Sequence, residues 1–209
     1  MSILTPVPEI LDDLQNGKMI ILMDDEKREN EGDLIVSASK VTPEHINFMA
    51  TYGRGLICLA MSGREIDRLQ LPQMTDENGC KHGTAFTVSI DAIENVGTGI
   101  SAFDRAETIR RASDPASTRQ DFRVPGHIFP LRARDGGLLE RAGHTEAGVE
   151  LSVLAGCGEA AVLCEIMNDD GTMARLPDLR DFAARHGLRL VSVRDVMVYM
   201  DQQREKDVA

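Results

Sequence analysis

Tryptophan is absent from this 209-residue chain, and six phenylalanines and two tyrosines are its whole aromatic complement. Hydrophobic residues make up 42% of the sequence, so a sizeable core is available, but it has to be aliphatic and methionine-rich. No apolar stretch approaches the ~20 residues of a membrane span, and the N-terminus lacks a basic region followed by a hydrophobic one. Both absences lead to the expectation of a cytoplasmic protein without a membrane partner. Positive charge is scarce too: 23 Lys and Arg face 34 Asp and Glu, for a net charge of −11. That balance argues against nucleic acid as a partner. It leaves room for a small anionic substrate, because a few arginines create a positive pocket inside a negative protein. The four cysteines, Cys58, Cys80, Cys157 and Cys164, form no C-x-x-C pair and no zinc spacing. Cys58 and Cys164 fall inside apolar runs, as reduced, buried thiols do.

What the chain has in excess is carboxylate, and it is concentrated. Six of the ten residues from Asp24 to Asp33 are acidic. They lie between two short aliphatic runs, Met19 to Met23 and Leu34 to Val36, that read as buried strands. Carboxylates crowded on one loop repel one another, and a bound divalent cation such as Mg²⁺ or Mn²⁺ is the usual compensation. A solvated acidic turn is the plainer reading. Arg28 and Lys27 in the middle, with Gly32 allowing close backbone approach, favour a loop built for a metal together with an anionic ligand.

Strands and helices alternate along the rest of the chain. A first helix places Ile10, Leu11 and Leu14 on one face and ends at Gly17. Leu34 to Ser39 is a strand, and Thr42-Pro43 opens a helix to about Tyr52. Gly55 to Ala60 is a strand, Ser62 caps a short helix, and Leu71 to Gly83 is a loop long enough to carry a function. Thr84 to Asp91 alternates, with Phe86, Val88 and Ile90 inward, and reads as a half-buried strand. After a helix holding Ala106, Ile109 and Ala112, the proline-broken run Val124 to Leu131 suits an edge or irregular strand beside a site. Thr145 is placed as N-cap of a helix carrying Val149, Leu151 and Leu154; a helix opening on Gly-His-Thr just after an arginine outlines a phosphate site. A strand from Ala161 to Met167, a helix around Leu179 that ends at His186-Gly187, a strand from Leu190 to Val193 and a final helix complete the chain. The expected fold is a mixed α/β domain of α+β type, one unit over residues 1–209, with a mixed β-sheet and surrounding helices.

Two histidines and one glutamate stand out chemically. His45 and His186 sit at helix ends, where imidazole is ordinary. His127 follows Pro-Gly ahead of an apolar pair, and His144 lies in the phosphate-type turn. Glu165 interrupts an otherwise aliphatic strand; burying a carboxylate costs several kcal/mol unless it is paired or protonated, which suits proton transfer. On the residues alone, the chain reads as a metal-dependent enzyme acting on a small phosphorylated substrate by proton abstraction.

Six blocks, in order, then carry a resemblance: Asp24 to Asp33, His82 to Val88, Thr98 to Ser101, Arg123 to Arg132, Arg141 to Ala147 and Leu163 to Met173. Spread from about residue 7 to 200, they resemble the 3,4-dihydroxy-2-butanone 4-phosphate synthase family. The resemblance implies conversion of D-ribulose 5-phosphate to L-3,4-dihydroxy-2-butanone 4-phosphate and formate for riboflavin biosynthesis. It also implies a Mg²⁺ or Mn²⁺ cofactor and a homodimer with sites near the subunit interface. Carried over motif by motif, Glu29 and His144 are the metal ligands. Arg28 and Asp33 hold the sugar, Arg141, Gly143 and Thr145 hold the phosphate, Glu29, Ala142 and His144 complete the substrate-binding set, and His127 and Glu165 are catalytic. Glu31 and Cys58 line the site. Chelation of the C2 carbonyl and C3 hydroxyl would acidify the substrate so that a positioned base forms an enediol, with His127 and Glu165 as a proton-transfer pair. No cysteine cluster of a second, cyclohydrolase-type domain is present, so a stand-alone synthase is the expectation. The rivals are a phosphosugar isomerase or aldolase, which would release no formate, and a non-catalytic metal- or anion-binding module.

Overall fold

A seven-stranded mixed sheet runs through the computed structural model, which describes residues 4–208. In chain order its elements are α1 (Val7–Gln15), β1 (Ile20–Met23), β2 (Gly32–Ser37), α2 (Pro43–Phe48), β3 (Cys58–Met61) and α3 (Gly63–Arg68). Then follow β4 (Ile90–Ala92), α4 (Ala102–Ser113), β5 (Phe122–Arg132), α5 (His144–Leu154), β6 (Ala160–Glu165), α6 (Leu176–His186), β7 (Leu190–Ser192) and α7 (Val193–Val208). The strand order is β4-β5-β3-β6-β2-β1-β7, with β3·β5 and β1·β7 parallel and the other pairs antiparallel. Among the described residues no helix is long and apolar enough to cross a membrane.

Alternation along each strand divides the core into two layers. Leu34, Val36, Leu59, Val162 and Cys164 pack on α2, α4 and α6 through Ile46, Ile109 and Leu179, and on Met49 just after α2. Ile20, Ile35, Cys58, Ala161 and Leu163 face the other way, against α1, α5 and α7 through Ile10, Leu14, Leu151 and Val196. Helices on both faces explain why the central strands read as nearly continuous aliphatic runs. With no tryptophan to fill space, the layers are closed by Ile, Leu, Val, Met and Ala.

Several local expectations hold. Gly17 ends α1 with φ +73°, Thr42 caps α2, Ser62 caps α3 and Gly187 follows α6 with φ +66°. Others are corrected. The half-buried strand expected over Thr84–Asp91 shrinks to β4; Ile90 is buried as expected, but over residues 86–89 inside and outside are exchanged. Thr87 is fully buried and donates to the Pro130 carbonyl at 3.0 Å, whereas Phe86 and Val88 are only partly buried. Pairing satisfied these hydroxyls, so polarity did not mark the solvent side. The run Val124–Leu131 is irregular as expected but lies inside the sheet, covered at its edge by β4. The helix expected to begin after Thr145 begins two residues earlier, with Gly143 at its N-cap.

Leu59 is fully buried on β3, between β5 and β6. Leu59→Ala is expected to remove about 2–5 kcal/mol of stability by opening a cavity there. Urea denaturation checks this: the midpoint should fall while the slope is retained.

Candidate active site

The acidic loop closes on itself through Asp24. This buried carboxylate accepts from Arg28 Nη1 at 2.9 Å and the Glu29 N–H at 3.1 Å on one oxygen, and from the Glu31 N–H at 2.9 Å on the other. Arg175, at the start of α6, holds the same turn from outside by donating to the carbonyls of Glu29 at 2.8 Å and of Asn30. The carboxylates therefore have assigned directions: Asp24 points inward, while Glu29, Glu31 and Asp33 face a cavity of about 210 Å³.

His144, the first residue of α5, lies buried among them. Its Nδ1 is 3.5 Å from Glu29 Oε2, and its Nε2 is 4.0 Å from Asp33 Oδ1. Burial disfavours the imidazolium, but Asp33, Glu29 and Asp24 together outweigh it and push the pKa of His144 up to about 9. Glu29 is held down to about 2, first by its hydrogen bond to His144 and then, against burial, by Arg28. Burial pushes Asp33 up to about 7, opposed by His144 and reinforced by Glu165, Glu29 and Glu31. Asp24, Glu29 and His144 present ligand atoms all within 4.8 Å of one another. Carboxylate oxygens with one imidazole suit a hard or borderline divalent cation. The residues fit such an ion in a second respect: the buried atoms Asp33 Oδ1 and His144 Nε2 have no hydrogen-bond partner within the protein.

An anion cradle adjoins this cluster. Gly143 is the N-cap of α5 in extended conformation, and no side chain caps the helix. Its lack of a Cβ is required, because a Cβ would lie 2.5 Å from Arg141 Nη1 and 2.8 Å from Arg28 Nη2. Two guanidinium groups thus converge on an uncapped helix start, where free N–H groups and the dipole already favour an anion. Arg141 is fixed in place: it donates to Glu146 Oε2 at 2.5 Å, to the His82 carbonyl at 3.0 Å and to Thr84 Oγ1 at 3.0 Å. Glu146, 1% exposed, also accepts the Arg134 N–H at 3.0 Å.

Register supplies the last carboxylate. Leu22, Asp33 and Glu165 are cross-strand neighbours on the α5 face of the sheet, at the end that meets the acidic loop. Glu165 is half-buried at the end of β6 rather than sealed in the strand, and its Oε2 accepts the Leu56 N–H at 2.8 Å. Backbone passes this close because Gly55 has no side chain: a Cβ there would lie 2.6 Å from the Glu165 N and O atoms.

Of the residues singled out from sequence, Arg28, Glu29, Asp33, Arg141, His144, Thr145 and Glu165 line this one cavity, together with Glu31 and Cys58. Gly143 is not among the lining residues but lies directly against the guanidinium groups of the two arginines that are. Ala142 is exposed and turns towards Met23 and Met197 instead. His127 does not line the cavity. Phe129 and Leu163 flank Cys58 on opposite sides, and His127 and Glu165 lie two residues from them on the same sheet face. Two strand spacings, about 10 Å, therefore separate the expected proton-transfer pair. Sequence reading missed the brace Arg175 and the buried anchor Glu146, which reads as an ordinary acidic residue in a helix first turn. It also did not separate Asp24 from the five other carboxylates of its loop.

Fold and site together define a class: a layered α/β protein that sets a carboxylate–histidine cluster and an arginine-lined helix start around one cavity. The chain belongs to the 3,4-dihydroxy-2-butanone 4-phosphate synthase family, whose profile matches residues 8–199. It is 55% identical over 199 residues to the 3,4-dihydroxy-2-butanone 4-phosphate synthase of Neisseria meningitidis serogroup A, covering 95% of this chain and 55% of that protein. It is 56% identical over 195 residues to the riboflavin biosynthesis protein RibBA of Aquifex aeolicus, covering 92% of this chain and 48% of that one. The chain thus spans about half the length of the curated relatives it matches. A crystal structure of 3,4-dihydroxy-2-butanone 4-phosphate synthase in complex with two magnesium ions superposes with a TM-score of 0.91 at 40% identity. That alignment covers 96% of this chain and 98% of the other.

The charge pattern sets a pH window for the metal-free protein. The folded pKa of His144, about 9, lies above its ordinary 6.5, so its contribution is complete below pH 6.5 and lost as pH rises through 9. Glu29 behaves oppositely, contributing above its ordinary 4.5 and losing that contribution as pH falls through about 2. In EDTA, the melting temperature is expected to fall between pH 6.5 and 9, and to fall less in His144→Gln. Equal slopes for the two proteins would show that His144 is not held as a cation.

Proposed function

We propose that this chain converts D-ribulose 5-phosphate to L-3,4-dihydroxy-2-butanone 4-phosphate and formate, the reaction that provides the four-carbon unit for riboflavin. The observation that carries this reading is the meeting, in one cavity, of a metal-type donor cluster, an anion cradle and a positioned carboxylate, in a chain of this family. Glu29 and His144 would hold Mg²⁺ or Mn²⁺, with Asp24 beside them. The bound cation supplies charge that acidifies the sugar carbon next to its carbonyl.

The chain's own groups do the rest. Arg141, Arg28 and the free N–H groups of His144 and Thr145 take the phosphate, which fixes how far along the cavity the sugar reaches. Ala142 joins this block through its backbone. Asp33 and Arg28 hold sugar hydroxyls. Glu165, fixed by the Leu56 N–H and facing the same cavity, moves a proton to or from the carbon skeleton. Closing water out of so small a space protects a reactive intermediate.

His127 fits this scheme through assembly. It lies about 10 Å from Glu165 across two strand spacings, with its side chain 41% exposed. We read the protein as a cytoplasmic homodimer in which His127 serves the cavity of the second copy. If so, mixing inactive His127→Gln and Glu165→Gln subunits restores turnover in the heterodimer, which carries one intact site. No recovery after verified subunit exchange would remove His127 from the partner's site.

The deciding assay is formate release from D-ribulose 5-phosphate, with Mg²⁺ and then with excess EDTA. Metal-dependent formate in step with a four-carbon phosphate is expected. Glu29→Ala should abolish the metal response, and Glu165→Gln should lower turnover by about 10²-fold or more with folding intact. Substrate loss without formate would indicate an isomerase or aldolase, and metal binding without turnover a binding module.

A further inference from the structure

The sheet edge that carries His127 is built around that side chain. β5 pairs with β4 in two registers, Ile90 opposite Ile128 but Asp91 opposite Arg123, so residues 124–127 bulge outward between them. The bulge is fastened to β4 by backbone contact. Gly126 donates to Ser89 Oγ at 3.0 Å, and a Cβ at Gly126 would run into the backbone of Ile90 and Asp91. The fastening brings His127 onto Asp91. One carboxylate oxygen of Asp91 accepts the His127 backbone N–H at 2.9 Å, and the other lies 2.7 Å from His127 Nδ1.

A third segment closes over the pair. Gly99, at φ +94°, lies so near that a Cβ would meet Asp91 Oδ2 and sit 2.5 Å from His127 Nδ1. This turn is held in turn by Asp104, whose carboxylate accepts the Gly97 N–H at 3.1 Å and the Gly99 N–H at 2.9 Å. A β-bulge, a left-handed glycine and the Asp91 carboxylate thus converge on one imidazole that packs no core and is 41% exposed, and Asp104 holds the glycine's turn in place. A histidine with only a structural duty needs no such cage.

We propose that Asp91 is the positioning residue of His127, resting on the reading above that His127 takes part in catalysis. A carboxylate only accepts hydrogen bonds, so Nδ1 carries the proton facing Asp91 and Nε2 is left as the nitrogen that exchanges a proton. Because Asp91 grips the backbone N–H and the ring of the same residue, it fixes both the tautomer and the ring direction. Gly99 keeps the space this grip requires. Neither residue lines the cavity of its own chain, so neither contributes to phosphate or metal binding there.

The test reads the ring directly. In long-range ¹H–¹⁵N spectra of ¹⁵N-labelled protein, with His127 assigned by its loss in His127→Gln, Nδ1 of His127 should be protonated and Nε2 bare once the ring is neutral. In Asp91→Asn the amide keeps the backbone bond by its oxygen and turns its NH₂ towards Nδ1, so the neutral ring should change to the Nε2-protonated tautomer. That variant should lose about 10²-fold or more in kcat with KM and the Mg²⁺ response nearly unchanged. Gly99→Ala, which displaces the pair without altering either ionisable group, should lower kcat likewise, and it serves where Asp91→Asn does not fold. A wild-type ring protonated on Nε2 alone would overturn the proposal, as would full kcat in either variant. If His127→Gln itself keeps full turnover, the catalytic reading of His127 fails, a result separable from the tautomer because the spectrum is recorded without substrate.

Discussion

Carboxylates brought together in a low-dielectric space need positive charge among them. Asp24, Glu29, Glu31, Asp33 and Glu165 meet where β1, β2 and β6 reach the acidic loop. Left alone, they would push one another towards protonation, as burial and its neighbours already do to Asp33. His144 and Arg28 answer that field from within. His144 is available only because α5 begins at the site, and α5 is seated by Ala147 and Leu151 packing with Ala161 and Leu163 of β6. The electrostatics of the cavity therefore rest on an aliphatic interface, the kind of core that a chain without tryptophan has to build.

The same helix start carries a carboxylate-facing histidine and an arginine-lined stretch of backbone because opposite charges are kept apart by geometry. His144 turns its ring towards Glu29 and Asp33, while Gly143 exposes backbone beneath Arg28 and Arg141. Glu146, in the first turn of the same helix, neutralises Arg141 from behind, while Arg141 itself reaches the loop at His82 and Thr84. A buried arginine with its carboxylate removed would be an uncompensated charge, so Glu146 secures the cradle as well as the helix. Arg28 joins the two halves, bonded to Asp24 and Glu29 on one side and reaching over Gly143 on the other.

Much of this was legible in the residues. Local rules placed Gly17, Thr42, Ser62 and Gly187 at element ends, and the excess of acid in one loop, with arginine inside it, pointed to the donor cluster and the arginine pair that meet there. Where local rules failed, tertiary pairing had replaced solvent. Thr87 and Ser89 read as outward because they are polar, yet Pro130 and Gly126 satisfy their hydroxyls inside the fold. Thr145 read as a cap because threonine is a good one, but Gly143 takes that place where two guanidinium groups leave no room for a side chain. Glu165 read as buried because its neighbours are aliphatic, although it ends its strand and faces the cavity.

By itself the sequence determined the class of fold, the aliphatic nature of the core and the chemical types present at the site. These follow from composition and short-range periodicity, which act within a few residues of chain. Only the tertiary structure decided which carboxylate anchors and which faces the cavity, that Arg175 and Glu146 brace the site from other elements, and that His127 answers to Asp91 rather than to Glu165 on its own chain. Those outcomes depend on strand order and register. A cross-strand neighbour is chosen by the packing of the whole sheet, and no spacing along the chain encodes it.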